Sequence, residues 1–308
     1  MRRPLAYLVM GVAVMSLAAC VMQTAPLPAP APETAALARS AESAAFATYY
    51  ASVETRLVSD GMLRVDGGQH DAPFSAAMLA ANFERIALFD EYTLSAGRFV
   101  ARETPSRLRR WEQPVQLQPH FGRTVSPDQQ ATDRAVLTAF GQRLSDATGH
   151  PVTSVTTGGN FHVLYLDRDE QKTAGDLVRS LVPGVGPETI AAIEGMPRST
   201  FCAVFAFSQP GGPPVYIAAV AIIRAEHPDL LRQSCIHEEI AQGMGLPNDS
   251  AGARPSIFND DEEFALLTAH DAMLLRLLYD ARLSPGMTPD AARPIVRAIA
   301  ETLVGGAS

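Results

Sequence analysis

The sequence predicts an α/β fold in which a mixed sheet is covered by helices, and three observations carry that prediction. The runs Asn160 to Asp167, Phe201 to Phe207 and Val215 to Ile223 are short, apolar and rich in β-branched and aromatic residues, as buried strands are. Residues 129–147 place Val136, Leu137, Phe140 and Leu144 on one helical face. A further helix begins near Cys235 and carries Ile236, Ile240 and Met244 four residues apart. A chain of 308 residues, 47% hydrophobic and 19% charged, can bury a sizeable core. Its net charge of −8 argues against a nucleic-acid partner, which requires a basic surface.

The chain opens on Arg2 and Arg3, then a short apolar stretch from Leu5 to Leu17, then Leu17-Ala18-Ala19-Cys20. A membrane span needs ~20 apolar residues, and this run is shorter. The stretch reads as a signal peptide, residues 1–19. Its end resembles the bacterial lipobox, which implies that Cys20 is acylated and that the partner is the membrane. Val21 after the cysteine points to the outer membrane, with the protein facing the periplasm. Residues 20–40 then form a Pro/Ala-rich tether that cannot build a core.

Residues 41–106 read as an N-terminal helical segment. Phe46, Tyr49, Tyr50, Val53 and Leu57 make one amphipathic face, Gly61 and Gly67-Gly68 break the chain, and Met78, Leu79, Phe83, Ile86 and Leu88 make another. From residue 107 the texture changes. Val115, Leu117 and Phe121 alternate as in a strand, with Pro119 restricting it to a sheet edge. Gly149 and Pro151 close the helix over 129–147, and residues 171–197 hold one or two short helices. Gln209 to Pro214 is a turn between two strands, and a last helix runs from about Thr268 to Tyr279. With Cys20 committed to the anchor, Cys202 and Cys235 form an even pair, which in an exported protein reads as a disulfide. The alternative is two buried free thiols.

The string CIHEEIAQGMGLPND, residues 235–249, starts as a helix and ends where Gly245 and Pro247 stop it. Glu238 and Gln242 share a helical face with Glu239 beside them, and Asn248 and Asp249 are expected to swing back towards it. This layout resembles the metzincin signature HExxHxxGxxH with the glycine on Gly245. Aligned so, the general-base glutamate falls on Glu239, and Glu238, Gln242 and Asn248 stand where three zinc-binding histidines are expected. The EExxQxxGLxND string more closely resembles the DUF2927 family of proteobacterial proteins, many of them lipoproteins. The resemblance implies that residues 107–308 form a metzincin-like domain with an active-site-type helix and a C-terminal helix. Phe258 then occupies the place of the metzincin methionine turn.

Zinc prefers imidazole and thiolate, and Glu238, Gln242 and Asn248 offer only amide and carboxylate donors, so no zinc or other cofactor is expected. The reading is a non-catalytic binding protein with a cleft of Glu238, Gln242, Asn248 and Asp249, whose partner is an envelope protein or a peptide. The alternative is a hydrolase with Glu239 as general base and an oxygen-liganded metal on Glu238, Gln242 and Asn248. Apolar surroundings and Glu238 are expected to raise the pKa of Glu239. A blander account makes it a first-turn carboxylate favouring the helix dipole. His237 reads as a solvated or capping residue, and the acidic run 259–263 as a solvated loop.

Overall fold

Serine caps start the first two helices. Ser40 accepts from Ser43 N ahead of α1 (Ala41–Ser59), and Ser75 accepts from Met78 N ahead of α2 (Ala76–Ala87). The computed structural model describes residues 37–95, 98–259 and 261–305, so Cys20 and the signal segment lie outside the described residues. The compact unit containing the fold runs from Ala35 to Ser308. The helical segment expected to reach residue 106 ends at α2. An antiparallel hairpin follows it, β1 (Phe89–Ser95) and β2 (Arg98–Pro105). The β-favouring residues of FDEYTLS and RFVARE were the available signal for it.

The main sheet is built from β3 (Arg110–Trp111), β4 (Val115–Phe121), β5 (Val152–Ser154), β6 (Phe161–Leu166), β7 (Cys202–Ser208) and β8 (Val215–Arg224). Its order is β3-β8-β6-β4-β5 with parallel neighbours, and β7 lies antiparallel against β8. Connecting helices are α3 (Pro127–Thr148), α4 (Arg168–Gln171), α5 (Gly175–Leu181), α6 (Pro187–Gly195), α7 (Asp229–Gly243), α8 (Ala269–Leu278) and α9 (Pro289–Gly305). Two short helices, α5 and α6, lie within 171–197 as expected, and α4 ends at the first residue of that stretch. The last helix is α9, not the one at Thr268. Ala292, Val296, Ile299 and Ala300 are its buried stripe, and Pro294 inside it obscures the helical pattern.

Both sheet faces are covered, which explains the unbroken apolar strands. Phe161, Val163, Tyr165, Ala219, Ala221 and Ile223 join the core that holds Leu137, Phe140, Ile236 and Ile240. Leu164, Leu166, Val220 and Ile222 face a second core with Val178, Ile190 and Ile193. Pro119 does not place β4 at the sheet edge, because β4 pairs with both β5 and β6. Val115 N donates to Pro151 O, so odd-numbered amides of β4 point towards the β5 side. β5 has ended opposite Leu117, so the missing N–H of Pro119 falls where the ladder has stopped. Among the described residues, no helix is long and apolar enough to cross a membrane.

Candidate functional site

The helix carrying the candidate residues starts six residues before Cys235, at Asp229, behind an N-cap, Pro228, that makes no side-chain hydrogen bond. Glu54 of α1 supplies the missing acceptor, taking Leu231 N at 2.8 Å. Cys202 at the start of β7 is disulfide-bonded to Cys235 in α7, with Cα atoms 5.8 Å apart, as the pairing of the two cysteines anticipated. Ile236, Ile240 and Met244 are fully buried and seat the helix. Gly243 lets it lie close to the sheet, since a Cβ there would meet the Phe161 ring at 2.5 Å. Trp111 Nε1 donates to Gly243 O at 2.8 Å. Gly245 then turns the chain at φ 129°, where a Cβ would lie 2.3 Å from Arg109 O.

Glu239 is 4% exposed, and its Oε2 has no hydrogen-bond partner among the described residues. Burial pushes its carboxyl well above the usual range, and the charges of Asp249, Glu91 and Glu262 push it further. Because α7 begins at Asp229, Glu239 lies in its third turn and the helix-dipole account does not apply. Glu262 reaches this neighbourhood from a backbone held at φ 60°, a conformation that costs energy in a non-glycine residue. Glu238 is half-buried beside Glu239.

The expected four-residue cleft is only partly assembled. Gln242 Nε2 donates to Asp249 Oδ1 at 3.2 Å, so those two meet. Asn248 turns away towards α2. Its Nδ2 donates to Arg85 O at 2.9 Å and lies 3.5 Å from Glu103 Oε2, and its backbone N donates to Ile86 O at 3.1 Å. The terminal carbonyls of α2 lack intrahelical donors, and Asn248 satisfies them. Glu238, Gln242 and Asn248 therefore do not form a common ligand set. The described cluster closest to a metal geometry is Cys202, Glu238 and Glu239, with donor atoms within 4.8 Å of one another. Its sulfur is tied up in the disulfide, which leaves two carboxylates. These donors do not fit zinc.

Other residues singled out by sequence also sit differently. His237 is buried rather than solvated or capping. Its ring stacks on Phe140 at 4.0 Å, its Nδ1 accepts from Leu267 N at 3.0 Å, and desolvation takes its pKa down to about 3. Phe258 is fully buried in a turn held by Asp271, which accepts from Ser256 Oγ at 2.5 Å and from Ile257 N at 3.1 Å. In the acidic run, Glu263 is paired with Arg254 and Arg64 at 2.7 and 2.9 Å rather than solvated.

Sequence reasoning missed a buried polar group at the carboxyl ends of β6 and β8. Tyr165 Oη, Glu226 Oε2, both ring nitrogens of His227 and Arg232 Nε are buried there without a hydrogen-bond partner among the described residues. Helix α1 covers part of it, with Ser43 Oγ donating to Glu226 Oε1 at 2.8 Å and Tyr50 edge-on to His227 at 4.5 Å. The available signal was Arg224, Glu226 and His227 directly following an apolar strand, at the sheet edge where α/β folds place polar sites.

No curated protein matches this chain. The family model described as a protein of unknown function, DUF2927, matches residues 76–298, a span from α2 into α9 that includes the whole main sheet and α7. The chain therefore belongs to the DUF2927 family.

Proposed function

We propose that this is a lipid-anchored envelope protein of the outer membrane, facing the periplasm, whose metalloprotease-like core binds a protein or peptide partner and does not cut it. The order of elements supports the metalloprotease-like reading: strand, helix, strands, a helix ending in a glycine turn, and C-terminal helices. The observation that carries the non-catalytic reading is the fate of the three positions where that resemblance places imidazoles. Gln242 is engaged by Asp249, Asn248 is engaged by α2, and Glu238 is left without them as co-ligands. A zinc-activated water needs three ligands converging on one open position. The face that remains, Glu238, Gln242 and Asp249, is half-buried and polar, which suits a partner's amide or cationic groups. Cys20 supplies the anchor, and Cys20→Ser is expected to move the protein out of the membrane fraction.

The hydrolase alternative is favoured by one feature, the unpartnered Oε2 of Glu239 beside further carboxylates. One experiment separates the two readings. A photo-reactive residue at Gln242, introduced in cells, is expected to give a discrete crosslinked adduct that one at exposed Asp146 does not. Purified protein is expected to leave a peptide library uncut. Peptide cleavage abolished by Glu239→Gln, or stoichiometric zinc lost on Glu238→Gln, overturns the binding reading.

A further inference from the structure

Away from α7, β4 and β6 bring two imidazoles together. Gln118 is in register with His162, which sets His120 diagonally beside it on the same sheet face. His120 Nε2 and His162 Nδ1 lie 3.1 Å apart, and the rings are tilted at 58° with centroids 5.2 Å apart. His162 is 5% exposed, and His120 is half-buried, so the pair opens to solvent on one side.

The tautomers follow from the partners. The backbone carbonyl of Leu181 favours a proton on His162, and carbonyls only accept. Since Nδ1 faces His120, the proton that this carbonyl favours falls to Nε2, which leaves a lone pair on Nδ1. A ring that keeps its proton on the far nitrogen presents its near nitrogen as metal-ligating histidines do. Without a metal, His120 Nε2–H donates into that lone pair. When His120 carries its proton on Nδ1 instead, two lone pairs face one point.

From this arrangement we infer that His120 and His162 form a two-imidazole site for a late first-row transition ion, copper(II) most strongly. The separation fits. Bonds of ~2.0–2.1 Å put two nitrogens about 2.9 Å apart at a right angle and about 3.3 Å apart at the tetrahedral angle. The observed 3.1 Å lies between them. Imidazole suits such ions, and copper(II) leads the divalent series. Burial lowers the pKa of both rings, so neither needs to lose a proton to the solvent before binding at neutral pH. The remaining coordination positions lie on the solvent side of His120 and fall to water or to a donor from a bound partner. The site stands apart from α7 and does not rest on the function proposed above.

The test is titration of tag-free, full-length protein in detergent with Cu²⁺ and with Ni²⁺ against a chromophoric competitor. Electron paramagnetic resonance of the copper form provides a second readout. One equivalent of copper is expected, with hyperfine structure from two nitrogens. Half-buried His120→Ala is expected to keep the thermal transition and lose at least tenfold in affinity, and His150→Ala to bind as the parent does. His162→Gln, which keeps a polar side chain at the same place, is expected to lose the same affinity as His120→Ala. Binding weaker than the competitor can detect, copper retained by His120→Ala, or a spectrum with fewer than two nitrogens overturns the inference. In the latter two cases the metal is an adventitious ion only. Copper lost on Glu239→Gln and kept in His120→Ala would assign it to α7 instead.

Discussion

Glu239 and His237 sit two positions apart on α7 and are both buried, and they respond to pH in opposite senses. The folded-state carboxyl of Glu239 keeps its proton where the unfolded one, near 4.5, has lost it. Its burial therefore opposes folding increasingly as pH rises above about 4.5. Glu239→Gln mimics the protonated form and is expected to leave stability unchanged near pH 4 and to raise it by ~1 kcal/mol or more at pH 7, as read by urea unfolding. Loss of stability at pH 7 in that variant would mean that the carboxylate, not the acid, is the native form. His237 runs the other way. Its folded pKa of about 3 lies below the ordinary 6.5, so its contribution is complete above about 6.5 and is lost as pH falls towards 3. The slope is at most ~1.4 kcal/mol per pH unit. Asn Oδ1 occupies the position of Nδ1 and can accept from Leu267 N, so His237→Asn is expected to be less stable at pH 7 but to show a flatter acid limb between pH 6.5 and 4. The same urea series at each pH checks it.

At the scale of elements, α7 depends on α1 for its beginning. Pro228 offers no side-chain cap, and the carboxylate that takes Leu231 N comes from Glu54, 177 residues earlier. Around it, Tyr50, Val53 and Leu231 form a small apolar cluster separate from the main cores. The family's shared span starts at residue 76, so this contact is contributed by chain outside that span. Glu54→Ala is expected to cost ~1 kcal/mol, the usual value of a lost cap. Amide exchange is expected to quicken at Leu231 and Arg232 and to stay unchanged in α8. Uniform acceleration through both helices would show that Glu54 supports the whole fold rather than one helix end. α1 also covers the buried polar group formed by Glu226 and His227, so the same element closes the sheet's carboxyl edge.

For the whole molecule, the Cys202–Cys235 bond joins the antiparallel edge strand to the central helix across 33 residues. Closing a loop of that length contributes ~2–4 kcal/mol, chiefly by restricting the unfolded chain. The double variant Cys202→Ala/Cys235→Ala is expected to lose that much in urea unfolding, and a reductant is expected to lower the melting temperature of the parent but not of the variant. Equal sensitivity of both to reductant would place the effect elsewhere. The alternation of apolar and turn-forming residues determined the strands at Phe161 and Val215, the helix after Ser126 and the cysteine pair, because these patterns answer to local periodicity and composition. The same patterns misjudged Pro119, since whether its missing N–H matters depends on where β5 stops, and they left the hairpin after α2 and the helix after Pro289 unread. The site was legible as a list of residues and not as a constellation. Spacing along α7 placed Glu238 and Gln242 on one face, but Asn248 answers to the open carbonyls of α2, and Glu239 to acidic groups from β1 and from two separate loops. The sequence by itself determined which residues are available and which helix carries them. Only the tertiary structure decided their partners and protonation, because burial and charge at one point are summed over elements far apart in the chain.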